Sequence, residues 1–180
     1  IPMIAGIGNH EVRGGMSKTP AEAPYFYALF DGLFAKNGAY GALHFGDYLS
    51  LIMLDTNHTC EIADQNDYLK KELLKASKFS HQFVSYHIGA YPCVRDDRSK
   101  WAKAIREHWL PLIENSKTRV VFEHHDHAFK RTKPLRRGEV SADGIYYLGD
   151  GDWGKEVRKT KTLEERPYLE KVASESNVWK

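Results

Sequence analysis

Four histidines and one asparagine carry the chemistry this chain can offer. Asn9 and His10 sit in Gly8-Asn9-His10-Glu11, His87 closes Val84-Ser85-Tyr86-His87, and His125 and His127 belong to His124-His125-Asp126-His127. A neutral imidazole is a good ligand for zinc, iron or manganese. The carbonyl oxygen of Asn9 would add a ligand without adding charge. His125 and His127 lie two residues apart, so in an extended segment both side chains point to the same side. That spacing suits two neighbouring ions, or one ion gripped twice. His10, beside Asn9, could face a substrate as an acid or an electrostatic stabiliser. Each segment alone has a plainer reading. A His-x-His pair is more often a surface cluster, Gly-Asn is common in turns, and a single buried histidine is more often satisfied by its neighbours. Order and position decide.

The elements around these residues set that position. An apolar run over 1–7 reads as a strand and stops at Gly8. Residues 24–36 are aromatic-rich and read as a helix ended by Asn37-Gly38. Runs at 40–45 and 49–55 flank Gly46-Asp47, a hairpin signal, and the second arm is apolar enough to lie centrally in a sheet. A helix over 65–78 places Leu69 and Leu73 on one face. Strands follow at 82–87, 118–122 and 144–148, with a helix over 98–115 kinked at Pro111. Strands alternating with helices predict an α/β layered domain. Each histidine segment then falls just past the C-terminal end of a strand, where ligands gather in open α/β sheets.

Composition narrows the classes. The chain has 180 residues, 42% apolar and 28% charged, enough for one globular core. No uncharged apolar stretch, 49–54 included, is long enough to span a membrane. The net charge of +2 argues against long nucleic acid as a partner. Seven basic and five acidic residues between 155 and 180 account for all of that charge.

Taken in order, Gly8-Asn9-His10-Glu11, Val84-x-x-His87 and His125-x-His127 resemble the last three signature blocks of the calcineurin-like metallophosphoesterases. The flanks are similar to the purple acid phosphatase branch: Leu54-Asp55-Thr56 at a strand end, Tyr91 after His87, and Ala128-Phe129-Lys130-Arg131-Thr132 after the last histidine pair. The resemblance covers the chain from Pro2 to Gly154 and implies a layered α/β/β/α sandwich of mixed sheets. It also implies that Asn9, His87 and His125 bind one metal, that His127 binds another, and that His10 is the catalytic residue near the scissile ester. The implied reaction is phosphomonoester or phosphodiester hydrolysis by in-line attack of a metal-bound hydroxide at a two-metal site. The implied cofactors are two divalent or trivalent ions of the iron, zinc or manganese class. The implied substrate is a phosphorylated small molecule or a phosphoprotein, and the implied location is secreted or periplasmic.

The sequence also departs from that pattern. Two family blocks precede Gly-Asn-His, an Asp-x-His or Asp-x-Gly segment and a Gly-Asp segment whose aspartate bridges the ions. The chain starts eight residues before Asn9. The expectation is therefore the C-terminal part of such a domain over 1–154, continued by the charged segment 155–180. The alternative is a degenerate member that holds metal or phosphate without catalysis. Gly46-Asp47-Tyr48 mimics the missing aspartate block but sits in a hairpin turn, and Asp150 and Asp152 read as turn formers. His124 stands where the family has glycine, and its side chain could strain the loop, crowd the metal or reach the substrate. Asp96-Asp97-Arg98 reads as a helix start or as the rim of a substrate entrance. Cys60 and Cys93 allow at most one disulfide.

Overall fold

The structure is a computed structural model that describes residues 4–30, 32–34, 38–150 and 154–177. Its centre is built from the most apolar runs of the chain. β1 (Gly41–Phe45) and β2 (Leu49–Leu54) form the hairpin expected around Gly46, whose φ of 57° only glycine adopts freely. β2 then pairs in parallel with β3 (His81–Tyr86), and β3 with β4 (Val120–Glu123). β8 (Tyr146–Asp150) extends the parallel set, and β5 (Phe129–Thr132) and β9 (Leu169–Ala173) close it with antiparallel pairing. The seven-stranded order is β1-β2-β3-β4-β8-β5-β9, beside a small ladder of β6 (Leu135–Arg136) and β7 (Glu139–Val140).

Parallel strands require crossovers, and helices supply them. α1 (Pro24–Leu29) precedes the sheet, α2 (Asn66–Ala76) links β2 to β3, and α3 (Lys100–His108) with α4 (Leu110–Glu114) links β3 to β4. Alternate strand residues Ile52, Leu54, Val84, Tyr86 and Val121 bury one sheet face against Leu69, Leu73, Ile105, Trp109 and Ile113 of the helices. Trp109 is fully buried, and its indole N–H donates to the Ile62 carbonyl at 2.9 Å. Ser99 caps α3 by accepting from the Ala102 amide at 3.2 Å.

Several expectations move. The helix predicted over 98–115 breaks at Trp109, ahead of Pro111, because a proline without an N–H fits only the first turn of the new helix α4. Residues 4–7 form no strand, and residues 1–3 lie outside the described part. The helix predicted over 24–36 ends at Leu29. Two sheet strands, β5 and β9, were not foreseen, since both carry charged residues at high density. Among the described residues no helix is long and apolar enough to cross a membrane.

A buried ion pair joins these pieces. Glu123, the last residue of β4, bonds Lys130 of β5, and both side chains are 1% exposed. Glu123 also accepts from the Tyr86 hydroxyl at 2.9 Å and the Ala90 amide at 2.8 Å, while Lys130 Nζ donates to the Tyr91 carbonyl at 2.7 Å. Burial works against a charged Lys130, and the Glu123 carboxylate outweighs it, so the amine stays protonated. Replacing Lys130 with methionine strands a carboxylate in the core. Lys130→Met should lower stability by about 3–5 kcal/mol, read as a drop in the urea midpoint with an unchanged slope.

Candidate metal centre

The strand register delivers the site. Leu54 pairs with Tyr86 and Tyr86 with Glu123, so β2, β3 and β4 end at one level. His87 follows β3 directly, and the segment 124–127 follows β4 directly. The amides of His124 and His125 both donate to the His87 carbonyl at 3.0 Å, which ties the second segment to the first. Asn9 comes from a turn in which Glu11 Oε2 accepts from the Gly8 amide at 2.8 Å. Gly8 is required there. A β-carbon at that position would stand 2.9 Å from the His87 ring.

Three donor atoms meet at this point. Asn9 Oδ1 lies 2.9 Å from His87 Nε2, and His125 Nδ1 lies 2.9 Å from the same nitrogen. The two imidazole rings are 4.7 Å apart. Burial holds the His87 pKa well below the usual imidazole range, helped by His125 and His58. Burial, then Arg95, pushes His125 down to about 4. Both rings are therefore neutral at pH 7, so each keeps one ring nitrogen with a lone pair that could bind a cation. The set is two imidazoles and one amide, and among the described residues no group of three or more His, Cys, Asp or Glu side chains is placed to hold an ion.

The other expected residues lie apart from this triad. His10 is exposed and lines a neighbouring cavity of about 460 Å³ that it shares with His87, Glu11 and Tyr25. His127 is buried with a left-handed backbone at φ 55°, an uncommon conformation for a residue with a side chain. Its ring bonds the backbone of Glu156, and its carbonyl accepts from the Arg158 amide at 3.0 Å. His124 needs no such backbone, and its Nε2 lies 3.0 Å from Ser85 Oγ. Asp47 sits in the β1–β2 turn, at the opposite end of the strands. Asp152 lies outside the described residues, as does the side chain of Asp150. Cys60 and Cys93 are both free thiols.

Two features went unread in the sequence. His58 is fully buried and packs edge-on against His87 with ring centres 5.3 Å apart, which fixes the tilt of the His87 ring. Its only sequence signal was a place in an Asn-x-Thr triplet. Asp126, between the two histidines, turns its carboxylate away and accepts the amides of Val94 at 3.0 Å and Arg95 at 3.1 Å, together with that of Cys93.

No family model matches the chain, and no curated protein matches it in sequence. Solved structures do match. A purple acid phosphatase from yellow lupin (Lupinus luteus) seeds superposes with a TM-score of 0.68 at 14% identity, covering 89% of this chain and 33% of its own. PhoD superposes at 0.56 and 15% identity, covering 78% of this chain and 35% of that one. This chain has the calcineurin-like metallophosphoesterase fold. A third neighbour, GAP50, the anchor in the inner membrane complex of Plasmodium, gives 0.54 at 12% identity over 75% of this chain and 42% of its own. The chain thus spans about a third of the lupin enzyme's length.

If the triad is a metal site, crowding its centre should weaken it. Gly8→Ala should lower Zn²⁺ affinity about tenfold or more, measured by competition with a chromophoric chelator, while far-UV circular dichroism stays the same.

Proposed function

We propose that this chain forms one side of a metal-dependent phosphoester hydrolase site, in which Asn9, His87 and His125 hold an ion. One observation carries the reading: Asn9 Oδ1 and His125 Nδ1, from two separate loops, each lie 2.9 Å from His87 Nε2 at the end of β3. The fold shared with a purple acid phosphatase supports it. An ion of the zinc, iron or manganese class would supply Lewis-acid charge for the phosphoryl oxygens and acidify a water for attack.

The remaining work falls to side chains. His10, exposed in a cavity that His87 also lines, would stabilise charge on the ester or give a proton to the leaving oxygen. His127, implied as the ligand of a second ion, would have to release the Glu156 backbone to take part. A second reading is a binding protein without turnover. The neighbour named as an anchor favours it, because the same fold there is described by attachment and not by hydrolysis.

An assay of the full chain with phenyl phosphate and added Zn²⁺ or Mn²⁺ separates the two. Metal-dependent release of phosphate is expected, with His10→Ala lowering kcat by about 10²–10⁴-fold at unchanged metal affinity. Metal bound without any turnover would overturn the hydrolase reading in favour of the binding one.

A further inference from the structure

A separate cavity of about 590 Å³ lies between α4 and the β6–β7 hairpin, and none of Asn9, His87 and His125 lines it. Tyr91, Leu110 and Pro111 give it an apolar wall, while Arg106, Glu114 and Arg137 bring charge to it. The hairpin turns at Arg137-Gly138, with φ of 54° and 80°. Two consecutive positive φ values mark a type I′ turn, for which Asn-Gly is the favoured pair. An arginine there holds a backbone that residues with side chains rarely adopt. Glu114 secures it, since its Oε1 accepts from the Arg137 amide at 2.8 Å. A β-carbon at Gly138 would stand 3.9 Å from the Tyr91 hydroxyl, so the hairpin tip lies against that ring.

The charges around this cavity do not neutralise one another. Glu114 ends α4 with 7% of its surface exposed, and among the described residues no cation pairs with its carboxylate. Arg106 donates to the carbonyls of Ala90 and, at 2.6 Å, of Asp97, and its guanidinium stands 5.9 Å from the centre of the Tyr91 ring. Neither it nor Arg137 forms an ion pair among the described residues, whereas Arg136 is matched by Asp143 at 3.1 Å. A buried charge is unfavourable unless it is paired. One carboxylate and two guanidiniums therefore face the same space, unmatched and too far apart to match each other.

We propose that this cavity binds a free α-amino acid with an apolar side chain. Glu114 takes the ammonium, Arg137 and Arg106 take the carboxylate, and Tyr91, Leu110 and Pro111 receive the side chain. A simple anion would satisfy the arginines and leave Glu114 unmatched, and a simple cation would do the reverse. A zwitterion answers both at once, and a guanidinium fork matches carboxylate geometry. The site is independent of the hydrolase reading.

Titration calorimetry of the full chain with L-phenylalanine tests this. Binding is expected. N-acetyl-L-phenylalanine, which lacks the ammonium, and L-phenylalaninamide, which lacks the carboxylate, should each bind about tenfold or more weakly. Glu114→Gln keeps an acceptor for the Arg137 amide and removes the charge. It should weaken phenylalanine by a similar factor and leave the N-acetyl compound unchanged. Arg137→Asn installs the residue the turn prefers, so its thermal midpoint should hold or rise. It should weaken phenylalanine and leave the amide compound unchanged. Absence of phenylalanine binding overturns the proposal, as does a phenylalanine affinity that both variants leave intact. Equal affinity for phenylalanine and its N-acetyl form also overturns it, and makes the cavity a site for anions only.

Discussion

The site hangs from one buried carboxylate. Glu123 ends β4 with 2% of its surface exposed, and its two oxygens gather the Tyr86 hydroxyl, the Ala90 amide and the Lys130 ammonium. Those partners belong to the end of β3, to the loop after His87 and to β5. A single side chain therefore fixes the spacing between the two histidine segments from below. Without the lysine the carboxylate would be an unpaired charge in the core, and without the carboxylate these three groups would lose their common acceptor or counter-charge.

The same device is repeated along the strand ends. Asp55, just past β2, accepts the amides of His58 at 2.6 Å and Thr59 at 2.9 Å, as well as the Thr59 hydroxyl. Burial tends to raise its pKa, and the bonds from His58 and Thr59 hold it below the ordinary carboxylate value. Asp126 plays the same part after β4. Loops at the C-terminal edge of a parallel sheet have lost their ladder partners, and buried backbone N–H groups there need acceptors. Acidic side chains supply them, so the imidazoles nearby remain free to face one another.

Much of this was legible in the residues. The alternation of strands and helices placed His87 and 124–127 at strand ends, and the parallel register then set His87 beside His125, where Asn9 joins them from a segment outside the sheet. What stayed hidden has physical causes. A His-x-His pair in extended backbone would share one side, but His127 adopts a left-handed conformation and turns its ring to Glu156. β9 is a sheet strand whose Glu170 and Lys171 are exposed, so its charge resembled that of a solvated segment.

The strand order has a kinetic corollary. β4 and β5 are neighbours in sequence, yet β8 lies between them in the sheet and bonds both. The segment 124–128 thus bridges a gap that is filled only when residues 146–150 dock. That pairing joins Val120 to Tyr146, 26 positions on, whereas the crossover that pairs Phe83 with Val120 spans 37. The closure that secures the far side of the histidine segment therefore costs less chain entropy than the one that brings His125 to His87.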